Sequence, residues 1–202
     1  MNILITGANG LVGSAVTKRF ANANHQVKAL CRKTADLSLL DDSIEVIEGD
    51  ITDILGLSKA MHKIDVVIHT AAMVSFSPKE RTKMYHANVQ GTANVVNACI
   101  EMGVKKLLFV SSVAALGRPV TTTAPKQSTT YINETQQWEE SPLNSHYAKS
   151  KYLAECEIWR GQAEGLKVAV VNPSVILGEG DWSRSSTQLF KYVYDENKFY
   201  TL

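Results

Sequence analysis

The chain has 202 residues, of which 45% are hydrophobic and 20% charged, a composition that excludes a wholly disordered chain and a collagen-like one. This length is close to that of one domain and allows a substantial hydrophobic core. Because 21 basic side chains are balanced by 20 acidic ones, the net charge of +1 gives no long-range attraction for nucleic acid or an anionic membrane, and a bound anion needs a local site.

The first half of the chain alternates short apolar runs with segments of helical spacing. The apolar runs predict strands over residues 2–6, 25–31, 44–48 and 65–69. Between them, helical spacing predicts a helix over residues 11–23 and a short helix over 54–61, with Asp53 as the N-cap of the second.

A long helix opens the second half of the pattern. Ser77 followed by Pro78 is typical of a helix start and Gly103 of a helix end, which predicts a helix over residues 78–102. Beyond it the pattern predicts strands over 106–112 and 167–171 and helices over 145–164 and 183–197. Residues 118–144 are rich in Thr, Ser and Gln without clear periodicity, and a loop of that length is usually a functional lid or substrate edge.

The predicted strands are apolar throughout, which is typical of a parallel sheet covered on both faces. Right-handed crossovers between them give an α/β fold with a Rossmann-type, doubly wound parallel sheet and helices on both faces. In such a sheet ligands bind in a crevice at the carboxyl ends of the strands. Functional residues are therefore expected directly after the strands.

A glycine-rich turn, TGANGLVG at residues 6–13, separates the first predicted strand from the first predicted helix. In such a turn the first glycine permits the tight bend, the second lets the backbone approach a pyrophosphate, and the third allows close packing of helix and strand. The helix N-terminus then favours the anion. The predicted cofactor contacts are Gly7, Asn9, Gly10, Leu11, Val12 and Gly13. The alternative is an ordinary glycine turn without a ligand.

The end of the second predicted strand indicates which dinucleotide is bound. NAD sites usually carry an acidic residue there for the ribose 2′-hydroxyl, whereas this chain has Arg32 followed by Lys33. Arg32 can meet the 2′-phosphate of NADP, so the sequence favours NADP, with NAD as the alternative. A solvated basic loop without a ligand is the other interpretation of these two residues.

Cysteine usage and the N-terminal residues bear on the compartment. Cys31, Cys99 and Cys156 are odd in number and far apart, which indicates buried reduced thiols rather than a disulfide framework or a zinc site. The chain does not begin like a signal peptide, and no apolar run is long enough to span a bilayer. We expect a cytoplasmic protein with no metal site and with neither a membrane nor a nucleic acid as partner.

Further motifs follow the glycine turn. They are GDITD at 49–53, HTAA at 69–72, NVQGTANVV at 88–96, FVSS at 109–112, YAKSK at 147–151 and NPSVILG at 172–178. In this order and at these intervals they resemble the extended short-chain dehydrogenase/reductase family, also called the NAD-dependent epimerase/dehydratase family, along nearly the whole chain. RKTADLSLL at 32–40 and VVNPSVILG at 170–178 look more like the dihydroflavonol-reductase branch than the sugar-nucleotide epimerases.

The resemblance implies further cofactor contacts at matching positions. It places Asp50 and Ile51 at the adenine, Thr70, Ala71 and Ala72 along the cofactor, and Pro173 and Val175 beside the nicotinamide. Asn88 matches an asparagine that supports the water network of the active site, and polar packing between helices is its alternative role. His69 lies beside the cofactor segment, but a histidine at a strand end is more often structural.

The catalytic residues implied by the resemblance are Ser112, Tyr147 and Lys151. Tyr147 and Lys151 are four residues apart and share one helix face. A neighbouring ammonium and an oxidised nicotinamide favour the phenolate, so we expect them to lower the tyrosine pKa from its usual value of about 10. Tyr147 would exchange a proton with substrate, Lys151 would also bind the nicotinamide ribose, Ser112 would hydrogen-bond the substrate oxygen, and Ser111 would face the cofactor. Without the other motifs, Tyr147 and Lys151 would be an ordinary surface pair.

The implied function is that of an NAD(P)-dependent oxidoreductase, by branch an NADP(H)-linked reductase of a small carbonyl substrate. The alternatives are an NAD(P)-dependent nucleotide-sugar epimerase or dehydratase and a dinucleotide-binding module without catalysis. Relatives usually carry a longer C-terminal substrate lobe. We therefore expect a dinucleotide-binding domain over residues 1–178 and the start of a truncated substrate lobe over 179–202, a fragment that can bind cofactor without turning over substrate. The resemblance also implies a homodimer through helices 78–102 and 145–164.

Overall fold

The computed structural model describes residues 1–118, 132–178 and 187–196. Its centre is a six-stranded sheet in which neighbouring strands are parallel. The strands are β1 (Asn2–Thr6), β2 (Gln26–Cys31), β3 (Glu45–Glu48), β4 (Val66–His69), β5 (Lys106–Val110) and β6 (Val168–Val171). Their order in space is β3-β2-β1-β4-β5-β6, which confirms the predicted Rossmann-type, doubly wound sheet.

Helices connect the strands and cover the sheet. They are α1 (Leu11–Asn22), α2 (Ile54–Ala60), α3 (Arg81–Tyr85), α4 (Gly91–Glu101), α5 (His146–Ala163) and α6 (Gln188–Tyr194). Short 3-10 turns lie over Pro78–Glu80 and Val113–Leu116. Within the described ranges, no helix combines the length and the apolar character needed to cross a membrane.

Two hydrophobic cores lie on opposite faces of the sheet. Leu4 of β1 belongs to the core that contains Leu57 of α2 and Ile158 of α5. Ile3 and Ile5, its neighbours on the same strand, belong to the other core, against which α1 packs. Because successive side chains of a strand point to opposite faces, a strand buried on both faces is apolar along most of its length. This explains the uninterrupted apolar runs of the sequence.

The strand order reverses between β1 and β4, where the chain continues toward opposite edges of the sheet. Parallel strands place all their carboxyl ends at one edge, and a ligand crevice opens at the reversal point. The glycine turn after β1 and the segments after β4 and β5 therefore meet at this edge, where the sequence predicts the functional residues.

The prediction of one continuous α-helix over residues 78–102 is wrong. This segment consists of the 3-10 turn, α3, a π-helical turn over His86–Gln90 and then α4. The apolar spacing does not reveal the π turn, because the interruption is stabilised by contacts of one polar side chain, Asn88, described below. π turns inside helices are frequent at functional sites.

Smaller differences concern boundaries and caps. β5 ends at Val110 rather than at residue 112. Asp53 and Ser77 occupy the predicted N-cap positions, but neither side chain makes a capping hydrogen bond. Residues 119–131, 179–186 and 197–202 lie outside the described ranges. They include about half of the predicted loop over 118–144, the ends of the predicted helix over 183–197 and much of the predicted lobe over 179–202.

Candidate active site

The glycine turn between β1 and α1 is compact. Gly7 has a φ of 69°, in the left-handed region, and a Cβ on it would lie 2.7 Å from the backbone of Ala71. A Cβ on Gly13 would lie 2.1 Å from the carbonyl oxygen of Gly7. The tight turn expected at Gly7 and the close packing expected at Gly13 are therefore confirmed.

The N-terminus of α1 is open to an anion. Exposed Gly10 is its N-cap, and no side chain caps the first turn. The N–H groups of Leu11 and Val12 consequently have no acceptor within the helix. Such N–H groups, together with the helix dipole, bind phosphate. An uncapped helix N-terminus preceded by exposed glycine backbone fits the pyrophosphate of a dinucleotide.

The glycine turn also contacts the last residue of β2, Cys31. Burial raises the pKa of the Cys31 thiol, and a hydrogen bond from the Asn9 backbone opposes that rise. Arg32 and Lys33 follow directly and are exposed. Arg32 thus lies directly after the carboxyl end of β2, and its side chain is exposed.

Asp50 and Ile51, the predicted adenine contacts after β3, are engaged within the protein. Asp50 Oδ1 accepts hydrogen bonds from the Thr52 N–H at 2.9 Å and from its hydroxyl at 2.8 Å. Ile51 is buried, and its carbonyl oxygen accepts from Asn94 Nδ2 at 3.1 Å. Contact of either residue with an adenine stays a prediction, and for Ile51 it would have to use the backbone.

Threonines hold the end of β4 against the glycine turn. Thr70 Oγ1 donates to the carbonyl oxygen of Thr6 at 2.7 Å. The fully buried His69 ring lies between the hydroxyls of Thr6 and Thr92, with its nitrogens 2.7 and 3.0 Å from them. Burial lowers the pKa of His69 to about 3, so the ring is neutral. This arrangement gives His69 a structural role.

The three predicted catalytic residues lie close together at the carboxyl edge. Tyr147 and Lys151 share one face of α5, whose N-terminus is capped by the Ser145 hydroxyl accepting from the Ala148 N–H at 3.1 Å. Ser112 follows β5, and its side chain lies near enough to the Tyr147 hydroxyl to lower the pKa of that phenol. Two elements that are far apart in sequence thus bring a serine, a tyrosine and a lysine to one place.

Lys151 is almost completely buried, with 2% of its surface exposed. Its Nζ donates to the carbonyl oxygen of Val110 at 3.0 Å and lies 4.3 Å from the centre of the Phe109 ring. Burial lowers the pKa of Lys151 to about 8, and the negative charge of Glu155 opposes the shift. The side chain is therefore mostly an ammonium ion at neutral pH.

The pKa of Tyr147 shifts in the direction opposite to the expected one. Burial raises this pKa, and the hydrogen bond from Ser112 only partly opposes the rise. The expectation that Lys151 lowers it fails for the chain by itself, because desolvation of the phenolate is the larger effect. The phenol of Tyr147 is consequently protonated at neutral pH, and its ring contacts exposed Phe76 edge-on at 6.2 Å.

Asn88, on the π turn, connects three segments. Its Oδ1 accepts from the Met73 N–H at 2.7 Å, and its Nδ2 donates to the Met73 carbonyl oxygen and to Ser150 Oγ, both at 2.9 Å. Ser150 in turn donates to the carbonyl oxygen of Tyr147 at 2.8 Å. Both amide donors of Asn88 are used inside the protein, so a direct contact with a cofactor stays a prediction.

Ser111 does not have a free hydroxyl. It is buried, and its Oγ donates to Glu155 Oε2 at 2.7 Å. The same carboxylate oxygen accepts from Asn172 Nδ2 at 2.9 Å. Sequence reasoning missed Glu155, although it lies one helical turn after Lys151 on the face that carries Tyr147. That spacing is the signal that could have found it.

The remaining predicted contacts lie after β4 and β6. Ala71 is half-buried, whereas Ala72 and Val175 are exposed. The carbonyl oxygen of Pro173 accepts from the Val113 N–H at 3.0 Å, so the segments after β5 and β6 run side by side. A ligand that extends from the glycine turn toward Tyr147 would pass these residues.

The cysteines of the described ranges are free. The prediction of burial is confirmed for Cys31 and Cys99 and is wrong for Cys156, which is exposed on α5. Burial raises the pKa of Cys99 to about 12. In the part of the chain that the structure describes, no group of three or more His, Cys, Asp or Glu side chains could hold a metal ion.

A family model for the NAD-dependent epimerase/dehydratase family matches residues 3–197. The chain belongs to this family. Its curated relatives include reductases and steroid dehydrogenases of the extended short-chain dehydrogenase/reductase type. The predicted family resemblance is therefore confirmed.

Individual relatives show the range of this epimerase/dehydratase family. A putative dihydroflavonol 4-reductase of Synechocystis sp. is 30% identical over 178 residues, which are 88% of this chain and 50% of that protein. A short-chain dehydrogenase/reductase superfamily protein from Agrobacterium tumefaciens, solved with bound NAD, aligns with a TM-score of 0.66 at 26% identity, over 85% of this chain and 48% of its own. A UDP-glucose 4-epimerase from Thermotoga maritima, solved with UDP-glucose, aligns with a TM-score of 0.74 at 26% identity. The alignment covers 85% of this chain and 55% of the epimerase. This family member thus spans about half the length of these relatives.

Proposed function

We propose that this family member reduces a small carbonyl substrate with NADPH, in the manner of the dihydroflavonol-reductase branch. The observation that carries the proposal is the meeting of Ser112, Tyr147 and buried Lys151 at the carboxyl edge of the sheet. A buried ammonium is costly, and perturbed titratable groups cluster at functional sites. The similarity to the Synechocystis protein supports the reductase branch.

The proposed cofactor lies along the crevice from the glycine turn to α5. The uncapped first turn of α1 holds the pyrophosphate, and Arg32 binds the 2′-phosphate. The absence of an acidic residue directly after β2 supports NADP over NAD. NAD is the alternative, and the NAD bound to the Agrobacterium relative supports it.

The side chains of the site handle the carbonyl oxygen and its proton. Bound NADPH supplies the hydride for the carbonyl carbon. Ser112 donates a hydrogen bond to the carbonyl oxygen, and Tyr147 gives that oxygen its phenolic proton, which completes the alcohol. The ammonium of Lys151 stabilises the phenolate until solvent returns a proton. The raised pKa of Tyr147 suits this direction, because a proton donor must be protonated at neutral pH.

A nucleotide-sugar epimerase or dehydratase is the second candidate. The same three side chains can act on a sugar alcohol, and the similarity to the Thermotoga epimerase supports this alternative. The two functions differ in stoichiometry, since reduction consumes one NADPH per substrate molecule and epimerisation consumes none. Absorbance of the reduced nicotinamide distinguishes them.

A dinucleotide-binding module without catalysis is the third candidate, supported by the half-length match to the relatives. In each case we place the dinucleotide-binding domain at residues 1–178 and the start of a substrate lobe at residues 179–202. We also propose a cytoplasmic homodimer that associates through residues 78–102 and 145–164.

The deciding experiment is an assay of the full reading frame with NADPH against aldehydes, ketones and nucleotide sugars. Reduction of a carbonyl compound, with one NADPH oxidised per alcohol formed, supports the proposal. Conversion of a nucleotide sugar without NADPH consumption supports the epimerase instead. Binding of NADPH with no conversion of either class supports the module.

A further inference from the structure

Glu155 lies at the centre of a hydrogen-bond network next to the proposed catalytic residues. It is half-buried on α5, and one oxygen of its carboxylate accepts from Ser111 Oγ at 2.7 Å and from Asn172 Nδ2 at 2.9 Å. Both donors are neutral, and among the described residues no lysine, arginine or histidine forms a salt bridge with this carboxylate. Glu155 is therefore not one half of an ordinary surface ion pair.

The network connects the ends of two strands. Asn172, which follows β6, uses the same Nδ2 to donate to the carbonyl oxygen of Ser112 at 3.1 Å. The Ser111 N–H donates to the carbonyl oxygen of Val171 at 2.8 Å. Through these bonds the Glu155 carboxylate is connected to the backbone at Ser112, whose side chain lowers the pKa of Tyr147.

The charge of Glu155 acts on Lys151, one helical turn before it. Among the described residues, the groups shown to act on the Lys151 side chain are the Val110 carbonyl and Phe109 ring of β5, the neutral imidazole of His69 on β4, and Glu155 on α5. Of these, Glu155 carries the negative charge that favours the ammonium against burial.

We propose that Glu155 is a positioning residue of the site, which keeps Lys151 charged and Ser112 in place without touching substrate or cofactor. The effect on catalysis rests on the proposed function, whereas the effect on the charge of Lys151 does not. The substitution Glu155→Gln separates the two tasks, because glutamine keeps an oxygen that accepts from Ser111 and Asn172 but has no charge. Glu155→Leu removes both the acceptor oxygen and the charge.

The direct test follows the titration of Lys151 by NMR in protein carrying ¹³C-labelled lysine, with the signal assigned from a Lys151→Met variant. We expect Glu155→Gln to move this titration to lower pH by about 1 unit. The matched control is Glu157→Gln, which removes the same charge from the same helix. Glu157 pairs with Arg160 at 2.8 Å, so we expect the pH at which Lys151 titrates to stay unchanged in this variant. An unchanged Lys151 titration in Glu155→Gln overturns the proposal, whether or not the protein turns over a carbonyl.

The second measurement is NADPH affinity as a function of pH. We expect the loss of affinity at alkaline pH to begin about 1 unit lower in Glu155→Gln, with affinity recovered at lower pH. A merely structural role would lower the melting temperature and leave the pH profile in place, which would contradict the proposal. If the wild-type chain reduces no carbonyl but the Lys151 titration still shifts, the proposed reductase fails and the role of Glu155 stands.

Discussion

The Nζ of Lys151 donates to the carbonyl oxygen of Val110 at 3.0 Å, which joins the middle of α5 to the last residue of β5. The bond gives a buried ammonium one polar partner, and the Phe109 ring and Glu155 provide further stabilisation. This is an expensive way to join a helix to a sheet, because apolar side chains of similar size would do so without desolvating a charge. The lysine is better explained by the chemistry of the site.

This explanation predicts opposite effects of Lys151→Met on stability and on binding. Methionine fills the space of the lysine stem and removes the buried charge, so we expect an unchanged or higher melting temperature. Loss of a charge-assisted hydrogen bond to the ribose should weaken NADPH binding by about 10–100-fold. Thermal denaturation and an NADPH titration measure the two effects. A lower melting temperature with unchanged NADPH affinity would show that Lys151 is structural.

The glycine turn predicts different effects of two alanine substitutions. In Gly13→Ala the new Cβ would lie 2.1 Å from the carbonyl oxygen of Gly7, so we expect the free energy of unfolding to fall by about 1–3 kcal/mol or more. In Gly10→Ala the Cβ would lie 3.3 Å from the same oxygen. The fold should tolerate that contact, while the methyl group obstructs the pyrophosphate. Denaturant unfolding and NADPH titration separate the effects, and equal losses of stability in both variants would be inconsistent with this account of the turn.

The proposed role of Arg32 predicts that the chain binds NADPH in preference to NADH. We expect Arg32→Gln to weaken NADPH binding by about 10–100-fold and to leave NADH binding unchanged, because only NADPH carries the 2′-phosphate. Arg19→Gln, which removes an exposed charge from the last turn of α1, is the matched control. Titration of both coenzymes checks the expectation. Tighter binding of NADH than of NADPH by the wild-type chain would reject the NADP assignment.

The burial of His69 predicts that the folded chain loses stability in mild acid. Its pKa is lowered to about 3 in the folded chain, whereas the usual value is about 6.5, so below pH 6.5 the unfolded chain binds a proton that the folded chain does not. Folding stability should therefore fall as the pH drops from 6.5 toward 5, by up to about 1.4 kcal/mol per pH unit. Urea unfolding at several pH values measures the slope. We expect the slope to flatten in His69→Gln and to persist in His62→Gln, which replaces an exposed histidine.

Much of the fold could be predicted from the sequence, for a physical reason. Strands buried on both faces are apolar along most of their length, so β1 and β4 stand out as short apolar runs. The turn between β1 and α1 requires glycine at fixed positions because a Cβ would collide with backbone. The four-residue spacing of Tyr147 and Lys151 follows from the period of a helix.

The features that the sequence did not predict depend on contacts between distant segments. The π turn is stabilised by Asn88 bonding to the loop after β4 and to α5, and no local pattern encodes those partners. The upward shift of the Tyr147 pKa follows from burial, which the local sequence does not determine. Glu155 acquires its role from Ser111 and Asn172, which lie on other elements. Such features need the tertiary structure.

The most direct measurement compares Tyr147→Phe with the wild-type chain in two assays, NADPH binding and NADPH-dependent reduction of the carbonyl substrate found by the screen. Phenylalanine keeps the ring against Phe76 and loses only the hydroxyl, whose pKa Ser112 lowers. The account predicts nearly unchanged NADPH affinity and a fall in turnover of about 10²–10⁴-fold, the usual contribution of a general acid. Turnover retained in Tyr147→Phe would contradict the central claim that this phenol delivers the proton.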